Sequence, residues 1–246
     1  MVYDGSWDGF LSAVFEAYDR KLTKVSISKS VDFQPGIFGD SIEVFSDATK
    51  ANRVWLGLQK KLSVKALNDI YSSFLSGLAE MDNHLLHYIQ FALTTIGAEL
   101  AFGEACILRV SQVSKMVHRE KHRMEAFIRF QLTRDNIYYA VIEPDYNVIP
   151  LLISHFKNRY ADQNWLIYDL RRDYGIFYNL KTVEEVTLTE NTIESGQSMF
   201  SDTEVLYQTL WKDYFKSVNI TERKNTKLHL HHVPKRYWKH LTEKFL

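Results

Sequence analysis

Apolar residues recur at three- and four-residue spacing along the first half of this chain, then give way to alternation near residue 125. Val2-Tyr3 predicts a short strand, Asp4-Gly5-Ser6 a turn, and Ser6 an N-cap. The helix that follows carries Phe10, Leu11, Val14, Phe15 and Tyr18 on one stripe. That order would let backbone N–H groups face an anion. No glycine-rich phosphate signature follows it, so a plain capped helix is expected. Residues 31–46 read as irregular, with a turn at Gln34-Pro35-Gly36 and a strand at Ser41–Phe45. From Asp47 to His122 the period is helical, with breaks near Ser63, Met81-Asp82 and Gly97 and about four helices. Their stripes are Val54, Leu58 and Leu62; Leu67, Ile70, Tyr71, Phe74 and Leu78; Leu86, Ile89, Leu93 and Ile96.

The second half predicts a sheet. EAFIRFQ (125–131) alternates, NIYYAVIE (136–143) is rich in β-formers, and Thr133-Arg134-Asp135 between them reads as a hairpin turn. Asp145–Tyr160 is helical, with Val148, Leu151, Leu152, His155 and Phe156 on one face. Asn164–Leu180 is a second hairpin, around Arg171-Arg172-Asp173. Two hairpins around a helix predict an antiparallel sheet and an α+β fold. Lys181–Glu204 holds six acids and one lysine, and predicts an edge strand that runs into a mobile loop around Glu194–Gln197. Leu206–Val218 predicts an amphipathic helix with Leu210, Trp211, Tyr214 and Phe215, and a basic tail closes the chain. The expected organisation is one α+β domain over 1–246, with a helical subregion at 47–122, a sheet subregion at 123–190, and a C-terminal helix and tail at 204–246.

Composition narrows the chemistry. The 246 residues are 46% hydrophobic and carry no net charge, so a packed core is expected and any polyanion-binding face must be local. The single cysteine, Cys106, excludes an intramolecular disulfide, or an iron–sulfur cluster built by this chain alone, and fits a reducing, cytoplasmic setting. It falls in a helical apolar run and reads as a small buried residue. MVYDGSWDGF lacks the features of a signal peptide. The most apolar stretch, 85–110, is interrupted by Glu99, Glu104 and Arg109, so no membrane span is expected.

Charge is segregated at the end of the chain. Residues 221–246 hold seven Lys/Arg against two acids, together with Tyr237, Trp238 and four of the nine histidines. Cations interleaved with aromatics suit phosphate attraction and base stacking. The plainer reading is a solvated tail that packs its rings on the domain. His118 and His122 have i, i+4 metal-ligand spacing but lie among Lys115, Arg119, Lys121 and Arg123, which disfavour a bound cation. His229 and His231 would share a side of an extended segment, but no acidic cluster or cysteine lies near them. No metal site and no cofactor are expected. Glu143 and Asp169 each end a predicted strand, and neighbouring hairpins would bring the two carboxylates close. As turn residues they would instead pair with Arg123, Arg129, Arg171 or Arg172.

YDGSWDGFLSAVFEAY, KHRMEAFIRF, YAVIEPDYNVIPLLISHFKNRY, WLIYDLRRDYGIFYN and WKDYFKSVNITERKNTKLHLHHVPKRYWKHLTE together resemble the motifs of a bacterial family. That family is described as acting in DNA metabolism or DNA repair and is built on a domain of unknown function. The resemblance implies association with a radical-SAM DNA modification or repair protein. Some relatives are fused to a uracil-DNA glycosylase domain. The matching positions are Tyr3, Asp4, Gly5 and Phe10; His122, Arg123 and Arg129; Glu143 and Pro144; Tyr168, Asp169, Arg171 and Gly175; and Asn225, His232, Pro234, Arg236, Tyr237 and Trp238. The chain has no three-cysteine radical-SAM motif, so that chemistry would belong to the partner.

Three functions remain open. The first is an accessory protein that binds DNA through Arg123, Arg129, Arg171, Arg223, Lys224, Lys227, Lys235, Arg236, Tyr237 and Trp238, beside a radical-SAM partner. The second is an enzyme whose pocket gathers His122, Glu143, Asp169, His232 and Arg236. The third is a protein-binding scaffold without DNA contact, which an exposed apolar patch on the helical region together with a buried basic tail would favour. Oligomeric state is not legible in this chain.

Overall fold

The computed structural model describes residues 1–22, 25–33, 41–187, 200–201, 203–218 and 226–244. The expected turn at Gln34–Gly36 and the loop at Glu194–Gln197 lie outside the described residues, as do Arg223, Lys224 and Asn225. So do the side chains of Phe215 and His229. The fold is mixed helix and strand, of the α+β class. It falls into two compact units, Met1–Arg119 and Glu120–Leu246.

The first unit begins with strand β1 (Val2–Tyr3) and helix α1 (Trp7–Asp19). β1 pairs in parallel with β2 (Ser28–Lys29), a two-residue ladder with no sequence signal of its own. The Ser41–Phe45 strand reduces to one bridge, Val2 to Glu43. Ser6 caps α1 by accepting from the Gly9 N–H at 2.9 Å. The anion position at this helix end is filled from within: Asp4 accepts from the Ser6 N–H at 2.9 Å, the Ser6 hydroxyl at 2.7 Å and the Ser46 hydroxyl at 2.7 Å. Gly9 makes the closure possible, since a Cβ there would stand 2.2 Å from Asp4 Oδ1. Phe10, Leu11 and Val14 are fully buried, each contributing about 1.5–3 kcal/mol. Trp7 packs on Phe10, Trp55, Tyr71 and Phe74 at centroid distances of 4.9–5.7 Å.

The helical period then resolves as expected into α2 (Ala48–Gln59), α3 (Val64–Phe74), α4 (Met81–Thr94) and α5 (Ala105–Phe127). Asp47 and Ser63 cap α2 and α3, and Gly97 breaks the chain after α4 at φ +70°. One buried polar pair sits under β1. The Tyr3 hydroxyl donates to Asp82 at 3.1 Å, and both side chains are buried. Burial pushes the Asp82 carboxyl up to about 6, against the opposing pull of Lys29 and the Tyr3 hydroxyl.

The second unit holds a five-stranded sheet in the order β3-β4-β5-β6-β7. Its strands are β3 (Gln131–Leu132), β4 (Tyr138–Ile142), β5 (Trp165–Asp169), β6 (Tyr174–Tyr178) and β7 (Val183–Val186), with α6 (Ile149–Arg159) between β4 and β5. Both predicted hairpins form, and β7 is the expected edge strand. Two details differ from expectation. The sheet is not wholly antiparallel: β4 and β5 pair in parallel from Tyr138–Trp165 to Ile142–Asp169. A helix between two strands of one sheet returns the chain to its starting end, which makes the pair parallel. The first predicted strand, 125–131, also does not form as expected: 125–127 are helix, 128–130 have no regular structure and only Gln131 is strand. Ala126, Ile128 and Phe130 alternate, but Met124 and Phe127 keep helical spacing and Lys121–Glu125 braces the last turns at 2.8 Å, so α5 continues to Phe127.

Trp165, Phe156 and Tyr178 form the aromatic centre of this core. In the turn of the second hairpin Asp173 takes φ +53°. At the first pair beyond it but one, Gly175 opposes Tyr168, and a Cβ there would stand 2.5 Å from the Ile167 carbonyl oxygen. The closing elements are α7 (Glu204–Val218), α8 (Thr226–His232) and two short 3-10 turns at Lys235–His240 and Thr242–Lys244. Among the described residues no helix is long and apolar enough to cross a membrane.

Two predictions follow from this packing. Asp82 holds its proton more tightly folded than unfolded, so its contribution to stability is greatest below pH about 4. That contribution is lost as pH rises through about 6. Asp82→Asn keeps an acceptor for Tyr3 and removes the buried charge. Thermal melts at pH 7.5 should show it more stable than wild type by roughly 3 kcal/mol at most, with the difference vanishing near pH 4. Gly175→Ala forces a methyl against backbone, and urea unfolding should report a loss of about 1–3 kcal/mol.

Candidate nucleic-acid interface

A carboxylate buried in the second unit organises the basic tail. Glu120 lies on α5 with its side chain only 2% exposed. Its Oε2 accepts from Arg236 Nη2 at 2.7 Å and from the Tyr237 hydroxyl at 2.5 Å, and its Oε1 accepts from the Asp145 N–H at 3.0 Å. Arg123 Nη1 stands 3.7 Å away. Tyr237 is buried against Phe127, with ring centroids 5.5 Å apart. Burial, then the bond to Glu120, pushes its phenol up to about 12, so it stays a neutral donor. The Arg236 guanidinium also hydrogen-bonds the Tyr237 hydroxyl and pairs with Asp145.

Asp145 belongs to the turn Glu143-Pro144-Asp145 after β4, on which cations converge from two directions. From the second hairpin, Arg172 donates to the Pro144 carbonyl at 3.1 Å, the Asp145 carbonyl at 2.9 Å and Asp169 Oδ2 at 2.7 Å. Arg171 Nη1 lies 3.7 Å from Asp145 Oδ1. From the tail, Lys239 pairs with Glu143 at 2.5 Å, and this bond holds the Glu143 carboxyl below its ordinary range. His240 Nε2 stands 3.4 Å from Glu143 Oε1, and burial lowers the imidazole below its ordinary value. A third acid, Glu243, is buried between Arg129 Nη2 at 2.9 Å and Trp211 Nε1 at 3.0 Å. Burial pushes its carboxyl up, but these partners, Arg129 foremost, prevail and hold it low.

The fold therefore gathers three of the five candidate enzymatic residues, Glu143, Asp169 and Arg236, around the 143–145 turn. Each already has its own counter-ion. Asp169 is fully buried on Arg172 and on the Arg171 N–H at 2.9 Å, whereas Glu143 faces Lys239. The other two stand apart: the His122 side chain is 87% exposed beside Glu125, and His232 is exposed at the end of α8. His118 lies in the first unit, its Nε2 3.3 Å from Ser72 Oγ. The extended geometry expected for His229 and His231 does not occur, because residues 226–232 are helical.

Of the candidate nucleic-acid contacts, Arg123, Arg129, Arg171 and Arg236 face carboxylates. Lys227 and Lys235 are exposed, with no acidic partner within 4 Å among the described residues. Tyr237 serves as a buried anchor, and Trp238 is partly exposed, its Nε1 donating to the Val233 carbonyl at 3.0 Å. Glu120, Asp145 and Glu243 escaped the sequence reading. Their one signal was the charge balance: a strongly cationic tail in a chain of zero net charge needs acids elsewhere.

The Glu120–Arg236 bond predicts a thermodynamic coupling. Glu120→Gln should lower stability by about 2 kcal/mol, a discounted figure because the Arg236 side chain is 42% exposed. In a double-mutant cycle with Arg236→Ala by urea unfolding, the two losses should be clearly less than additive.

A family model described as a domain of unknown function, DUF4130, matches residues 79–243. Comparison with curated proteins and with solved structures gave no match. The chain belongs to the DUF4130 family.

Proposed function

We propose that this DUF4130 protein binds the phosphate backbone of nucleic acid through its closing segment and acts as an accessory in DNA metabolism or repair. The resemblance in its motifs supplies the setting, beside a radical-SAM partner in a reducing cytoplasm. The observation that carries the reading is the division of labour in the tail. Arg236 and Tyr237 are anchored on Glu120, which gives the segment a defined course. Lys227 and Lys235, exposed and without acidic partners among the described residues, are the cations left for phosphate. Lys239 and Arg171, with side chains 55% and 60% exposed, can exchange a surface carboxylate for a phosphate at little cost. Partly exposed Trp238 offers a ring for base stacking, in exchange for Lys244, whose Nζ lies 5.2 Å from the ring centroid.

A scaffold role is the second reading, and one observation favours it. On α7, Leu206, Tyr207, Leu210 and Tyr214 are each more than half exposed. In the helical region Val64, Ile96 and Leu100 are each about three-quarters exposed or more. Such surface suits a protein partner.

Fluorescence anisotropy with single- and double-stranded DNA across a salt series separates the two. The expected result is binding whose log K falls linearly with log salt. Lys227→Ala/Lys235→Ala should weaken it and reduce the slope by about 1–2, one phosphate per lysine. Absence of binding by folded protein at low salt would leave the scaffold reading standing.

A further inference from the structure

The first unit contains a cavity that the nucleic-acid reading does not use. It measures about 160 Å³ and lies between α3, α4, the 98–102 turn and the start of α5. That is close to the size of an apolar cavity, about 150 Å³, that accepts a benzene ring. Much of its wall is apolar, from Ala66, Leu100, Phe102, Ile107 and Val110. Three of its polar lining residues differ in how far they are satisfied. Asp69 is matched: its Oδ2 takes Lys65 Nζ at 2.7 Å and its Oδ1 takes the Ser114 hydroxyl at 2.6 Å. Glu99 accepts only the Ser63 N–H, at 2.8 Å, and has no cation within 4 Å among the described residues. Tyr88 is 3% exposed; its hydroxyl has no protein hydrogen-bond partner among the described residues but is still reached by solvent.

A phenol hydroxyl without a protein partner and a half-buried carboxylate without a counter-ion line one cavity, and both keep hydrogen-bonding capacity that water would otherwise fill. A single ligand can satisfy both. With Lys65 balancing Asp69, the wall keeps one unmatched negative charge, so the complementary ligand carries one positive charge. The apolar wall asks for a compact hydrocarbon body beside it, and Phe102 can face the cation with its ring. We propose that this cavity is a binding site for a small organic monocation, a primary ammonium on a ring-sized apolar body. The ammonium would donate to Glu99 and the Tyr88 hydroxyl, and the body would lie against Ile107, Val110 and Phe102. The phenol is suited to this role: burial, then the nearby Glu99 and Asp69 carboxylates, push it up to about 12, so it stays neutral at physiological pH.

The test uses benzylamine and its neutral counterpart benzyl alcohol on the full chain, followed by ¹H–¹⁵N NMR titration at pH 7.5. The expected result is benzylamine binding at about millimolar affinity, as befits eight heavy atoms. Resonances of the 63–69 and 99–111 backbone should shift, and the alcohol should bind roughly tenfold more weakly. Glu99→Gln keeps the acceptor for Ser63 and should bring benzylamine down to the level of the alcohol. Tyr88→Phe should weaken it severalfold. The alcohol comparison needs no variant, so it stands even if a substitution perturbs folding. Equal affinity for the two probes, shifts confined to other regions, or no binding by the folded protein would each overturn the assignment.

Discussion

A carboxylate that is 2% exposed must be paired, and in the second unit that requirement falls on Glu120. Leaving such a charge unmatched would cost several kcal/mol. Glu120 is held by α5, so its partners must come to it, and two of them come from more than a hundred residues away in sequence. Arg236 and Tyr237 supply the two donors on one oxygen, and the Asp145 N–H supplies the donor on the other. One side chain thereby fixes both the turn after β4 and the path of the closing segment. The sheet would form from its own ladders, but the tail would have no reason to follow one course.

The same carboxylates decide how much of the tail's charge faces outward. Arg236 and Arg129 pair with Glu120, Asp145 and Glu243. A cation engaged in this way orders the chain more than it attracts a polyanion. The electrostatic face is accordingly much smaller than the composition of residues 221–246 suggests. The proposed binding to nucleic acid would be local and salt-sensitive, since the neutral total charge adds no long-range attraction.

Period and punctuation made much of the fold legible. Ser6 and Ser63 are helix caps where their spacing places them, and the turn at Arg171–Asp173 joins two strands. What failed was local ambiguity. Around residue 126 two periods overlap: Ala126, Ile128 and Phe130 alternate while Met124 and Phe127 keep helical spacing, and the Lys121–Glu125 pair supports the helix. The parallel β4–β5 ladder follows from a crossover, a tertiary relation that no single segment encodes. The site was legible on its cationic side only. Arginines and tryptophan in a short tail stand out, whereas Glu120 sits among Arg119, Lys121 and Arg123 and looks like one charge of a solvated helix. Its burial goes with Tyr237, which donates to it and packs on Phe127. Glu99 was hidden in the same way, as a mere interruption of an apolar run, because a lack of counter-ions is visible only in three dimensions.

Hydrogen–deuterium exchange of residues 226–244, in free protein and with a short single-stranded DNA, tests the central claim most directly. If Glu120 orders the tail as a platform for phosphate, amides of the Lys235–His240 turn exchange well below the random-coil rate before DNA is added. They slow further, together with those around Lys227, when it is present. Random-coil exchange throughout the free tail would contradict the ordering, and protection unchanged by saturating DNA would contradict the platform.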